Sequence, residues 1–173
     1  MKNIVKVFAT AAIIITGTNA SFAQATATAS ASATIITPIA ISKTVDMNFG
    51  NVAVSATLAG TTVLAPAGTR TTGGAGGVTL PATTGTVTAA SFNVTGQGNY
   101  SYIITLPGTV AITDGASHNM NVTNFTSSPS GTGLLSSGGA QTLTVGATLN
   151  VAAAQTAGTY TNATGVPVTV NYN

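Results

Sequence analysis

One short run brings together the residue types of nucleophilic catalysis: Asp114-Gly115-Ala116-Ser117-His118-Asn119 holds a carboxylate, a hydroxyl and an imidazole. A serine becomes a useful nucleophile when a histidine takes its proton and a carboxylate orients that histidine. Triads draw these groups from separate elements, and a nucleophile next to its base in sequence does not fit that geometry. The run reads as a turn, so solvated loop residues are expected there. His118 is the sole imidazole, and the only acids are Asp46 and Asp114. One His and two distant Asp fall short of the three or four ligands that a zinc or transition-metal site takes. Paired carboxylates for glycoside hydrolysis would have to be those same two acids. Asp46 falls on the polar face of a strand and Asp114 in the turn, which argues against it. Glycines 73, 74, 76 and 77 lack the lysine and following helix of a phosphate loop and predict a flexible hairpin instead. With no cysteine there is no thiolate site and no disulfide. The expectation is a protein that is not an enzyme and has no cofactor and no metal.

Charge narrows the partners. Of 173 residues only 3% are charged, and Lys2 and Lys6 account for the formal net charge of +2. Beyond them, Lys43 and Arg70 balance Asp46 and Asp114, so the clustered cations that nucleic-acid binding needs are absent. Disorder is disfavoured by 44% hydrophobic residues with so little charge. Lys2 and Lys6 flank a positive start, residues 7–15 are apolar, and Ser21-Phe22-Ala23 offers small residues at a cleavage site. Residues 1–23 therefore read as a signal peptide cut between Ala23 and Gln24. The apolar run is too short for a membrane anchor. Secretion is expected, through a periplasm and on to the cell surface or the medium, with no membrane insertion after cleavage.

The elements that position these residues follow a period of two. From 35 to 49 the odd positions are Ile35, Thr37, Ile39, Ile41, Lys43, Val45, Met47 and Phe49, with mostly polar residues between. From 142 to 151 the alternation is complete, with Leu143, Val145, Ala147, Leu149 and Val151 on one face. Shorter stretches repeat it at Val52/Val54, Ala90/Phe92/Val94, Tyr100/Tyr102/Ile104/Leu106, Met120/Val122 and Val166/Val168/Val170/Tyr172. Successive side chains of a strand point to opposite faces, so each stretch predicts a strand with one face buried. Glycine- and serine-rich turns separate them, and no helical stripe occurs after residue 23. The prediction is an all-β protein, one antiparallel β-sandwich or small barrel over 35–173, with the sandwich favoured. A transmembrane barrel needs two aromatic girdles, for which nine Phe and Tyr are too few.

The two ends suggest what the domain does. Residues 24–34 read Gln-Ala-Thr-Ala-Thr-Ala-Ser-Ala-Ser-Ala-Thr. Composition alone fits a flexible linker. Alternation also fits a strand without a partner in its own chain, with Ala25, Ala27, Ala29, Ala31, Ala33 and Ile35 as inward knobs. At the other end the sequence stops inside a strand, so Val166, Val168, Val170 and Tyr172 would border an exposed edge and an open groove. A neighbour's N-terminal segment added as a strand would close that groove. Such a head-to-tail contact does not close on itself and yields a homopolymer.

Asp46-Met47-Asn48-Phe49-Gly50-Asn51-Val52, together with Ala157-Gly158-Thr159-Tyr160 and Val168-Thr169-Val170-Asn171-Tyr172, resembles the two ends of archaic chaperone–usher pilins and spore-coat-U-like proteins. The set, with Thr69-Arg70-Thr71 and Asn124-Phe125-Thr126-Ser127, is also similar to an uncharacterised family of Gram-negative secreted proteins. The resemblance covers about residues 30–173. It implies an immunoglobulin-like sandwich closed by a donated N-terminal strand, with a periplasmic chaperone and an outer-membrane usher as partners. Three departures stand out. Archaic pilins often carry a disulfide and this chain has no cysteine. The donor knobs are mostly alanine, each methyl contributing under about 1 kcal/mol on burial. Pro167 removes a ladder donor from the last strand.

The expected function is that of a secreted, pilin-like structural subunit that assembles by donor-strand complementation. The alternative is a self-contained adhesin or surface-binding sandwich whose loops touch a glycan. An ice-binding face is disfavoured because the Thr-x-Thr pairs at 26, 84, 142 and 159 keep no constant spacing. Matches to the glycosylation acceptor pattern at Asn93, Asn121, Asn124 and Asn162 are expected by chance in so Asn- and Thr-rich a chain.

Overall fold

The computed structural model describes residues 23–173, so the leader read from the sequence lies, Ala23 apart, outside the described residues. The chain divides into two compact units, Met1–Thr34 and Ile35–Asn173. In the first, residues 23–34 form no strand and every one is exposed. The second contains twelve strands and, among the described residues, no helix. None of the described residues forms a helix long and apolar enough to cross a membrane. The strands are β1 (Ala40–Val45), β2 (Ala53–Val54), β3 (Gly60–Leu64), β4 (Arg70–Gly73), β5 (Val78–Thr79) and β6 (Ala90–Thr95). They continue with β7 (Ser101–Thr105), β8 (Thr109–Thr113), β9 (Asn119–Ser128), β10 (Thr132–Leu134), β11 (Ala140–Val151) and β12 (Thr169–Tyr172).

Seven strands make one antiparallel sheet around the long β11. The first half of β11 pairs with β6, from Ala140↔Thr95 to Val145↔Ala90, and β6 pairs in turn with β1. The second half pairs on that side with β3, from Ala147↔Leu64 to Val151↔Gly60, and β3 with β4. The opposite edge of β11 carries β9, and β9 carries β8. A second sheet has the order β10-β7-β12, and β2 and β5 form a two-stranded ribbon. The molecule is thus an all-β antiparallel sandwich formed by a curled seven-stranded sheet and a smaller one.

The alternation expected from the sequence governs β11: Leu143, Val145, Ala147, Leu149 and Val151 are all buried. Ala90, Phe92 and Val94 of β6 and Tyr102 and Ile104 of β7 also point inward, as their spacing requires. Two clusters result. In one, Ala90, Phe92, Val94, Leu143 and Val145 pack against Tyr102, Ile104, Leu135 and Val170 of the second sheet and its flank. In the other, Leu64, Ala147, Leu149, Val151, Val110 and Val122 of the large sheet meet Phe49 and Val78.

Several expectations change length. The strand expected over 35–49 is regular only in β1, because Pro38 has no N–H for a ladder and the pairing with β6 shifts register between Lys43 and Val45. The strand expected over 166–172 shortens to β12, with Pro167 just outside it. The glycine- and serine-containing connection after β9 is short, residues 129–131, because β9 runs on to Ser128 and β10 begins at Thr132. The sequence reading had no strand at β3, β4, β5, β8 or β10, and Gly73, expected in a flexible hairpin, ends β4. In β3 the inward positions are Gly60, Thr62 and Leu64, which present no apolar alternation. In β10 the inward residue is Gly133, where a Cβ would strike the Tyr102 ring. Asn124 adopts a φ of 49° at the point where β9 shifts register against β11, and this extra residue carries the inward set from Val122 to Phe125.

Candidate functional site

The catalytic-looking run lies in the turn between β8 and β9. His118 Nδ1 lies 2.6 Å from Asp114 Oδ2, while Asp114 Oδ1 accepts from the backbone N–H groups of Ala116 (2.8 Å) and His118 (3.2 Å). The Ala116 N–H, followed by the His118 side chain, holds the Asp114 carboxyl below the usual carboxylate range. Ser117 sits at a φ of 84° and makes no side-chain hydrogen bond to the imidazole. The pair therefore fastens a turn, with no nucleophile attached. Among the described residues, no three His, Asp or Glu gather where a metal could be held.

A broad concavity lies within the second unit. It is a groove of about 1280 Å³ between residues 43–54 on one side and 155–166 on the other. Its floor is the inner face of the large sheet, where Val110, Val122, Leu149 and Val151 are buried and Ile112 and Met120 half-buried. Beside this floor the second sheet is absent; its β12 pairs only with β7. Between β1 and β2 the first wall is irregular chain, as is the second, and their polar backbone groups are held by side chains as well as by bridges.

Arg70 fixes the first wall. Projecting from the inward side of β4, opposite Leu64, its Nη1 donates to the carbonyls of Phe49 and Asn51 (2.7 Å to Asn51), and Nη2 donates to Thr84 O at 3.3 Å. Asn51 adds two bonds to the same neighbour, N to Thr84 O at 2.7 Å and Nδ2 to Thr83 O at 3.0 Å. Gly50 has a φ of 67°, and a Cβ there would meet Thr84 O and, at 2.7 Å, Val87 Cγ2. Only glycine suits that backbone and that space. The second wall is tied to the edge of β8. Thr161 and Thr113 exchange backbone bonds of 2.9 and 2.8 Å, and Asn162 Nδ2 donates to Ala111 O at 2.8 Å. Tyr160 OH donates to Thr156 O at 2.8 Å and accepts from Gln155 Nε2 at 2.9 Å, closing the loop on itself. The charges at the groove are Lys43 and Asp46, an exposed pair 2.6 Å apart at its rim.

The residues singled out from the sequence separate into three places. Ala25, Ala27, Ala29, Ala31 and Ala33 lie among residues 23–34, which are exposed and form no strand, and Ile35 is 92% exposed. Val166 lines the groove. Val170 is buried in the closed half of the core, with Val168 and Tyr172 packed against it. Tyr172 OH donates to Thr37 O and accepts from Gln97 N, each at 2.6 Å, and its ring meets Tyr100 edge to face with centroids 5.8 Å apart. Sequence reasoning missed Arg70 as the tie of the groove wall. Its only signal was being a lone arginine in a nearly uncharged domain, where a half-buried guanidinium has to satisfy its donors on carbonyls.

A model of the family described as domain of unknown function DUF4402 matches residues 39–172. No curated protein and no solved structure matches the chain.

Proposed function

We propose that this chain, which belongs to the DUF4402 family, is a pilin-like structural subunit that assembles by strand donation on the cell surface. In this reading residues 24–35 of one copy enter the groove of the next. The observation that carries it is the groove itself, an apolar floor where one layer of the sandwich is missing, bordered by the chain that leads into β12, which is irregular apart from the bridge at Thr161. An added strand would supply main-chain hydrogen bonds to that chain and small side chains to the floor. The N-terminal segment suits the role, being exposed, free of strand and alternating. It is also uncharged, so nothing in it opposes entry into a nearly neutral groove. The partners are a second copy of the chain and, on the resemblance to archaic pilins, a periplasmic chaperone and an outer-membrane usher.

The test compares residues 24–173 with 35–173 by size-exclusion chromatography, unboiled detergent gels and negative-stain imaging. A ladder or fibres from the longer form, absent from the shorter, is expected. A free peptide of residues 24–36 is expected to raise the melting temperature of the shorter form. Two equally stable monomers would overturn the proposal and leave a self-contained adhesin module as the working reading.

A further inference from the structure

Among the described residues, sulfur is confined to the groove. The chain has no cysteine, and beyond Met1 its methionines are Met47 and Met120, far apart in sequence. Both line the groove. Met120 stands on β9 opposite Ile112 of β8 and packs on the groove-half cluster. Met47 lies in the first wall, next to the Asn48–Thr88 bridge, and packs against both clusters. Each is half-buried, so each side chain rests on the core and keeps part of its surface open. The buried residues of the closed half are Ala, Val, Leu, Ile, Phe and Tyr.

A flexible thioether suits a surface that adapts to whatever lies on it. In a chain without cysteine or tryptophan it is also the side chain that a peroxide attacks. One peroxide oxygen passes to Sδ: the O–O bond breaks, the S–O bond forms, sulfur loses two electrons and water leaves. The sulfoxide is a polar acceptor set on a floor of Val110, Ile112, Val122, Leu149 and Val151, which offers its oxygen no side-chain donor. That oxygen stays hydrated, and an apolar segment laid over it would strip its water without replacing the hydrogen bond. We infer that Met47 and Met120 form a peroxide-sensitive modification site whose oxidation closes the groove to an apolar segment. The inference rests on the strand-donation reading for what that segment is, and it makes uptake depend on redox state. Reduced subunits accept a donor; oxidised ones do not.

The test treats the monomer fraction of residues 24–173 with hydrogen peroxide, maps the product by peptide mass spectrometry, and then concentrates it for unboiled detergent gels. Both methionines are expected to gain one oxygen in the folded protein, at rates within about tenfold of those in the urea-unfolded chain. The oxidised protein is expected to keep its far-ultraviolet dichroism and to give about tenfold less ladder than the untreated protein. The double variant Met47→Leu, Met120→Leu keeps size and apolarity and is expected to form its ladder equally before and after peroxide. The inference is overturned if either methionine resists oxidation in the folded protein, if oxidation unfolds the chain, or if the oxidised protein keeps its ladder. A double variant that loses its ladder to peroxide would overturn it as well, by placing the damage elsewhere. A ladder that survives oxidation leaves strand donation standing, whereas no ladder from the untreated protein overturns both.

Discussion

Leu143 and Leu149 stand on the same face of β11, one turned toward each half of the molecule, and they meet different roofs. Above Leu143 lies the second sheet, where Tyr102, Val94, Leu143 and Val145 all reach 0% exposure. Above Leu149 lie two loops and a groove instead, although burial is similar: Leu64 there is at 0% exposure, and Phe49 at 9% is close to Phe92 and Ile104 at 8% in the closed half. The closed half is held by ladder bonds and close packing. The groove half is held by a guanidinium on three carbonyls and by Tyr160, Asn162 and Asn51 on backbone groups. On the proposed strand-donation reading, the roofed half supplies the packing and the groove half the place where a donated segment would enter.

The sharpest way to break this comparison is a matched pair of truncations. Leu143→Ala is expected to cost about 4 kcal/mol and Leu149→Ala about 2 kcal/mol, because the loops over the groove can collapse into the space while the sheet cannot. Urea unfolding of both variants reads the gap, and equal costs would mean that the groove half packs as tightly as the other. Next in size are the wall ties. Gly50→Ala is expected to destabilise by roughly 2–3 kcal/mol through its left-handed backbone and the contact with Thr84. Arg70→Met is expected to cost about 2 kcal/mol by leaving the Phe49 and Asn51 carbonyls without their guanidinium donor. If both act through the wall, the double variant will lose less than the sum.

Smaller effects sharpen the contrast. Thr62 is fully buried beside the groove-half core with its hydroxyl unpartnered. Thr62→Val keeps the shape and is expected to raise stability by about 1 kcal/mol, read as a higher urea midpoint at unchanged slope. In the closed half, Tyr172→Phe removes two hydrogen bonds and is expected to cost about 1–2 kcal/mol. The smallest effect belongs to the β8–β9 turn. Because Asp114 has a lowered folded pKa, its contribution is present above about pH 4 and is lost as pH falls through the lowered value. Asp114→Asn should therefore lower the melting temperature at neutral pH and lose that difference in acid. A constant difference across the range would show that the ionised carboxylate contributes nothing to the turn.

Much of this was legible in the residues. The five alternating positions of β11, the inward set of β6 and the pair Tyr102 and Ile104 needed only the period of a strand. Where inward positions held Thr62 or Gly133, the period disappeared, although both strands form. The sheet accepts a threonine beside Leu149 because neighbours bury it, and a glycine below Tyr102 because the ring needs the room. Of the four positions expected along the acceptor edge, Val166 is the one that lines the groove. The others pack in the closed half because β12 pairs with β7.

By itself, then, the order of residues determined the strand class, the near absence of charge, the alternating N-terminal segment and the turn at Asp114. These are local properties, set by side-chain type and a repeat of two. Tertiary structure alone decided that Arg70 binds the backbone of Phe49 and Asn51, that one half of the core has a sheet for a roof and the other has loops, and that Met47 and Met120 border the same groove. Those facts depend on register between segments far apart in the chain, which no short window of sequence contains.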